Sequence, residues 1–110
     1  MTIQYDIVYS DINLFFELNG NNLMRLTPDA AIELCNALME KNVVVVCVEG
    51  GIWNDGKFQA RLDTIWTGKK PPMEPVDLAI NNEKAIASIL EDREQCNAFI
   101  VSTLPNAKLT

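Results

Sequence analysis

The side chains in this chain that could do chemistry are carboxylates, three thiols and two tryptophans, for it contains no histidine. The commonest general base, the commonest metal ligand and every His-dependent triad are therefore missing. Carboxylate pairs are available, such as Glu49 with Asp55, or Asp63 with Glu74 or Asp77. An acid–base dyad needs two carboxyls at a fixed separation with divergent pKa values. Nothing in their spacing makes these pairs converge, and in an acidic chain such groups are ordinarily solvated. No Asp-x-Asp run offers a loop of hard-cation ligands. Cys35, Cys47 and Cys96 are odd in number, widely spaced and set in apolar patterns. They read as buried reduced thiols rather than a disulfide framework or a zinc site. The expectation is a protein that is not an enzyme and holds neither metal nor cofactor. Trp53 is different: an aromatic flanked by Glu49, Asn54 and Asp55 at a hairpin tip has the make-up of a protein-binding hot spot. The plainer reading is that Trp53 and Trp66 pack on a sheet.

The net charge of −6 is unevenly spread. Residues 1–55 carry eight acids against Arg25 and Lys41, whereas residues 56–110 carry seven of each sign. An acidic half argues against nucleic acid, where neutralising phosphates supplies much of the affinity. It suits a basic protein partner, because complementary fields raise the encounter rate. No apolar run approaches the roughly 20 residues that span a bilayer, and no signal-peptide pattern opens the chain. These features lead to the expectation of a cytoplasmic protein with no membrane contact.

The carboxylates and Trp53 hang on a strong strand signal. Val43–Val48 is apolar, mostly β-branched and without polar alternation, which predicts a central strand covered on both faces. Asn54-Asp55-Gly56 favours a tight hairpin turn, and the alternation from Phe58 to Trp66 predicts the returning strand. Gly50-Gly51 predicts a bulge or a close backbone approach; a phosphate site would want a helix N-terminus next to it. Upstream, Thr2–Ser10 alternates with period two, as a half-buried strand does. Residues 11–26 fit either a short helix or a strand, then a turn at Asn19–Asn22 and a strand at Leu23–Leu26; a small hairpin is preferred. Thr27-Pro28-Asp29 is a helix start, with Ala31, Leu34, Cys35, Leu38 and Met39 as its core stripe and an end near Lys41–Asn42. Thr67–Pro72 is an exposed loop. A second helix starts at Pro75 or at Asn81–Asn82 and runs to Glu94, burying Ala85, Ile86, Ile89 and Leu90. Ala98–Val101 reads as a last strand.

The sum is one domain, 1–110, of α+β class. It predicts a two-layer α/β sandwich, with a mixed sheet of four to five strands and two main helices. Without the uncertain piece the order is β-α-β-β-α-β, as in ferredoxin-like folds. The doubly apolar valine strand asks for extra cover, from residues 11–26 or a second subunit.

The stretch Ala37–Val43 through Gly50-Gly51-Ile52-Trp53, followed by Asp63-Thr64-Ile65-Trp66 and Asn82-Glu83-Lys84-Ala85-Ile86, resembles small immunity proteins of bacterial polymorphic toxin and contact-dependent growth inhibition systems. The resemblance covers roughly residues 28–101 and rests on pattern rather than a strict motif. It implies a cytosolic protein that binds and blocks the C-terminal domain of a toxin, without catalysis, and carries over no individual binding residue. Joined to the charge pattern, it points to a basic toxin domain docking at Glu49, Trp53, Asp55 and Asp63, with Glu74 and Asp77 as outer contributors. The alternative is a ferredoxin-like regulatory or scaffold domain that binds a small molecule or homodimerises through its sheet.

Overall fold

The valine run becomes the first half of a twelve-residue strand, β2 (Val43–Asn54), the longest strand of the structure. This computed structural model describes residues 2–107. Before β2 come α1 (Ile12–Leu18), β1 (Arg25–Leu26) and α2 (Pro28–Glu40). After it come β3 (Lys57–Ala60), a 3-10 turn (Leu62–Thr64), β4 (Trp66–Thr67), α3 (Pro75–Asp92) and β5 (Ala98–Pro105). The strands lie in the order β1-β5-β2-β3, with β4 also paired to β2. Helix α2 joins β1 to β2 across β5, and α3 joins β4 to β5 across β2. Each is a split βαβ connection, in which the linked strands run the same way with an antiparallel strand between them.

The α+β class and the two layers are as expected from the sequence. All ladders are antiparallel, where a mixed sheet was expected; the parallel component is a single bridge, Tyr9–Leu26. Helices α2 and α3 pack side by side on one face of the sheet. The core lies between these layers, with Leu34, Leu38, Val45, Val48, Ile89, Phe99 and Val101 nearly or wholly shut from solvent. Val44, Val45 and Val48 are all buried within one chain, so the valine strand needs no second copy to cover it.

Four expectations need correction. Thr2–Ser10 forms no strand beyond the Tyr9 bridge; Tyr5, Asp6 and Ile7 are all exposed, so nothing on this segment's outer side rewards a second ladder. The preferred hairpin over 11–26 is a helix followed by a two-residue strand. Asp11 caps that helix through the Asn13 N–H (2.9 Å), and Asn19 closes it in the left-handed region (φ 49°). The strand expected over Phe58–Trp66 breaks after Ala60, because Thr64 turns inward. Its hydroxyl lies 2.8 Å from the Arg61 carbonyl and 3.2 Å from that of Gly50. Finally, α3 begins at Pro75, the first of the two starts expected, but Leu90, expected in its buried stripe, faces outward at 52% exposure while Ile89 is buried.

The glycine pair marks a close approach, and the bulge lies elsewhere, at Val45–Cys47. A Cβ on Gly50 would stand 2.8 Å from Thr64 Oγ1 and 2.9 Å from Cys96 Sγ; on Gly51 it would meet the Gln59 carbonyl and the Phe58 ring, each at 2.6 Å. The turn at Asp55-Gly56 has both residues at positive φ (51° and 74°), the type I′ geometry that suits strand twist.

Asparagine carboxamides take over where strand pairing stops. Asn82, fully buried on α3, accepts the Val45 N–H and donates to the Val43 carbonyl, both at 3.1 Å, while Asn81 donates to the Val45 carbonyl (2.8 Å). Asn97 accepts the Trp53 N–H (2.6 Å) and donates to the Trp53 carbonyl (3.1 Å). Asn21 grips Thr103 in the same way, at 2.5 and 2.8 Å. A carboxamide carries one acceptor and a donor pair, so it can replace the peptide of a missing neighbouring strand. In this way a sheet with short edge strands keeps its buried backbone satisfied.

Candidate functional site

Among the described residues, one sheet face carries no helix. Alternation along each strand assigns its residues: Leu26, Val48, Phe99 and Val101 belong to the helix-side core, so their neighbours Arg25, Glu49 and Ile100 point the other way. The register puts Arg25 opposite Ile100 and Ile100 opposite Glu49, one row across three strands. Further along the same face come Gly51 opposite Ala98, and Trp53 opposite Phe58.

The small residues in this row shape the surface. With no side chain at Gly51, the Phe58 ring lies over β2. The Arg25 guanidinium then sits 5.5 Å from the centroid of Phe58 and 5.5 Å from that of Tyr5, which arrives from the N-terminal segment. A guanidinium among aromatic rings at this distance makes cation–π contacts. Arg25 Nε and Nη1 are shut from solvent without a hydrogen-bond partner. Among the described residues the ion pairs are Arg61–Asp63 (3.3 Å) and Arg93–Asp29 (3.0 Å); neither Arg25 nor Glu49 takes part in one.

The structure brings together three of the six residues singled out in the sequence. Glu49 and Trp53 are half-buried on this face, and Asp55 is exposed at the hairpin tip beyond them. Asn97 fixes the Trp53 backbone. Asp63 lies outside β3 in the 3-10 turn, where the Arg61 guanidinium holds its carboxyl below the usual range. Glu74 and Asp77 are exposed at the start of α3, next to the loop that Asn106 ties to Met73. That is the Val43 end of β2, roughly 30 Å along the strand from Trp53. There Glu74 and Asp77 line an open depression of about 420 Å³ with Lys69, Lys70, Pro72 and Met73. They do not belong to the hairpin surface.

The pair Glu49–Asp55 forms no dyad. Glu49 and Asp55 are six residues apart along an extended strand, about 20 Å, beyond the separation at which two carboxyls share one reacting centre. All three thiols are raised above their ordinary range, chiefly by desolvation, with Cys35 pushed up to about 12. Thiols so placed are poor nucleophiles. Among the described residues no three His, Cys, Asp or Glu side chains gather as metal ligands would, and no helix is long and apolar enough to cross a membrane. What the face offers instead is a half-buried acid, a half-buried cation and three aromatic rings, carried by β1, β2, β3 and the N-terminal segment. That is the make-up of a protein-docking surface.

Sequence reasoning missed Arg25, Tyr5, Phe58 and Asn97. The available signal was weak: Arg25 is one of only two bases among the first 55 residues. Its place opposite Ile100 depends on a long-range pairing that no local pattern encodes.

Comparison with known proteins bears on the family of the chain. The family model described as "Colicin-E5 Imm protein" matches residues 24–104, from β1 into β5. The chain is 38% identical over 105 residues to the immunity protein CdiI of Burkholderia pseudomallei, covering 96% of this chain and 95% of that protein. It is 34% identical over 80 residues to the colicin-E5 immunity protein of Escherichia coli, covering 72% of this chain and 96% of that one.

Proposed function

We propose, from the premise that the chain belongs to the colicin-E5 immunity protein family, that it binds a cognate bacterial toxin domain and neutralises it by direct contact. The observation that carries this reading is the family match over residues 24–104, which runs from β1 through α2 and α3 into β5. We assign docking to that face and its hairpin tip, with Glu49, Trp53 and Asp55 as contacts. Asp63 lies on the flank, and Glu74 and Asp77 would meet only a partner that reaches the far end of β2. The acidic first half favours a basic toxin domain and fast encounter. The protein acts as an inhibitor with no turnover of its own, in the cytoplasm of the cell it protects. The likeness to a CdiI protein favours a toxin delivered by contact-dependent growth inhibition.

The test is protection. The C-terminal domain of the protein encoded by the upstream reading frame, as the candidate toxin, is induced in a sensitive host, with and without the immunity chain. Restored growth and a complex that co-purifies are expected. Reversing both charges, Glu49→Lys with Asp55→Lys, should weaken the complex at least tenfold, and more at low salt, with an unchanged melting temperature. Growth arrest unaltered by the chain would sink the reading, and unchanged affinity of the double variant would sink the surface assignment.

A further inference from the structure

Arg25 is placed unlike any other cation of the described chain. Arg61 and Arg93 each meet an aspartate. Arg25 lies more deeply, with two of its nitrogens shut from solvent, and has no counter-charge and no hydrogen bond at those atoms. The shortage is not one of acids, since the protein has fifteen. Glu49 lies on the same row, two strand spacings or about 10 Å away across the sheet, and Ile100 stands between them. Both are half-buried, on the face that lacks a helix, and neither is paired. Tyr5 and Phe58 hold the guanidinium from its sides through their rings, which fixes its direction while satisfying none of its N–H donors.

We propose, resting on the docking reading above, that Arg25 is the receptor for an acidic side chain of the toxin domain. That carboxylate enters beside Phe58, displaces the exposed Tyr5 ring from the guanidinium, and so reaches the donors that are closed off and unused in the free protein. Glu49, one row-step beyond Ile100, takes a basic group of the same partner. A planar fork with free N–H groups is matched by a carboxylate in bidentate fashion. The two opposite charges, carried on strands two spacings apart in one row, select partners that carry the reverse order and repel those that do not. The partner is then basic overall and yet must supply an acid at one defined point.

The experiment uses the toxin domain against which the chain protects in the growth assay, titrated calorimetrically with wild-type protein, Arg25→Met and Arg25→Lys. Arg25→Met should weaken binding by about 30-fold or more, as loss of a central arginine anchor does. Arg25→Lys should weaken it by about tenfold, because an ammonium cannot form the fork. The free Arg25→Met protein should melt at the wild-type temperature or above it, since an apolar chain of similar length replaces a desolvated, unpaired charge. A residue needed only for packing would do the reverse. Binding of Arg25→Met within about threefold of wild type overturns the inference. So does a melting temperature lower by more than about 5 °C, which would assign Arg25 to the fold. Wild-type protein that neither binds nor protects would instead overturn the immunity reading itself, and the two failures are distinct.

Discussion

Replacing Asn82 by leucine separates two accounts of helix α3. Asn82 is fully buried on the core stripe of that helix, between Leu78 and Ala85. If the stripe needed only apolar contact, Asn82→Leu would add buried hydrocarbon and a better helix former, a gain of about 1–2 kcal/mol. The hydrogen bonds predict the opposite sign. Leucine removes the acceptor of the Val45 N–H, the donor to the Val43 carbonyl and the acceptor that Asn81 uses, each a contact of 3.1 Å. An orphaned buried polar group costs about 1–3 kcal/mol. The Val43 carbonyl is only partly buried and counts for less. Set against the apolar gain, the net loss is about 2–4 kcal/mol, a large share of the roughly 5–15 kcal/mol that holds a domain together. Urea unfolding followed by circular dichroism should show a midpoint lower by about 1–2 M with an unchanged slope, and melting lower by about 10–20 °C. A midpoint at or above the wild-type value would refute the view that asparagines substitute for a missing strand.

Three further outcomes follow from the same structure. Gly51→Val places a side chain where the Gln59 carbonyl stands 2.6 Å from an ideal Cβ. It should cost about 1–3 kcal/mol in a urea titration and detach the Phe58 ring, seen as altered near-ultraviolet dichroism. Cys35, with its thiol pushed up to about 12, should resist a thiol-disulfide reagent at pH 8 until denaturant is added; rapid labelling in native buffer would contradict its burial. Asp92 ends α3, and its carboxyl is raised by desolvation, then by Glu91 and Asp63. A carboxylate with a raised folded pKa weakens the native state above that pKa and has no effect below the unfolded one. Asp92→Asn should therefore raise the urea midpoint at pH 7 and leave it unchanged near pH 3.

The elements whose local signals agree with their tertiary setting were legible in the sequence. The Val43–Val48 run, the Thr27-Pro28 cap with its Ala31, Leu34, Cys35 and Leu38 stripe, and the Asp55-Gly56 turn all carry their own physics. Others failed where one residue type serves two purposes. Asn21 and Asn82 read locally as a turn and a helix start, yet their carboxamides take the place of strand peptides belonging to Thr103 and Val45. Phe58–Trp66 alternates well enough for a strand, but the Thr64 hydroxyl turns inward to the Gly50 carbonyl and ends it. Thr2–Ser10 has the right period and no ladder partner beyond Tyr9. The candidate site divided on the same ground. Glu49, Trp53 and Asp55 lie on one strand and its turn, so sequence proximity placed them together. Glu74 and Asp77 lie at the other end of that strand because α3 runs beside it from the Val43 end, a fact of topology rather than of composition.

Oxidative footprinting of side chains, with and without the toxin domain, tests the docking face most directly. Tyr5, Trp53 and Phe58 lie on the helix-free side, while Val76 and Leu90 are exposed on the outer surface of α3 at 65% and 52%. Binding is expected to suppress oxidation of the first three and leave the last two unchanged. Protection of Val76 and Leu90 with Trp53 and Phe58 still reactive would place the toxin on the helical layer and contradict the account.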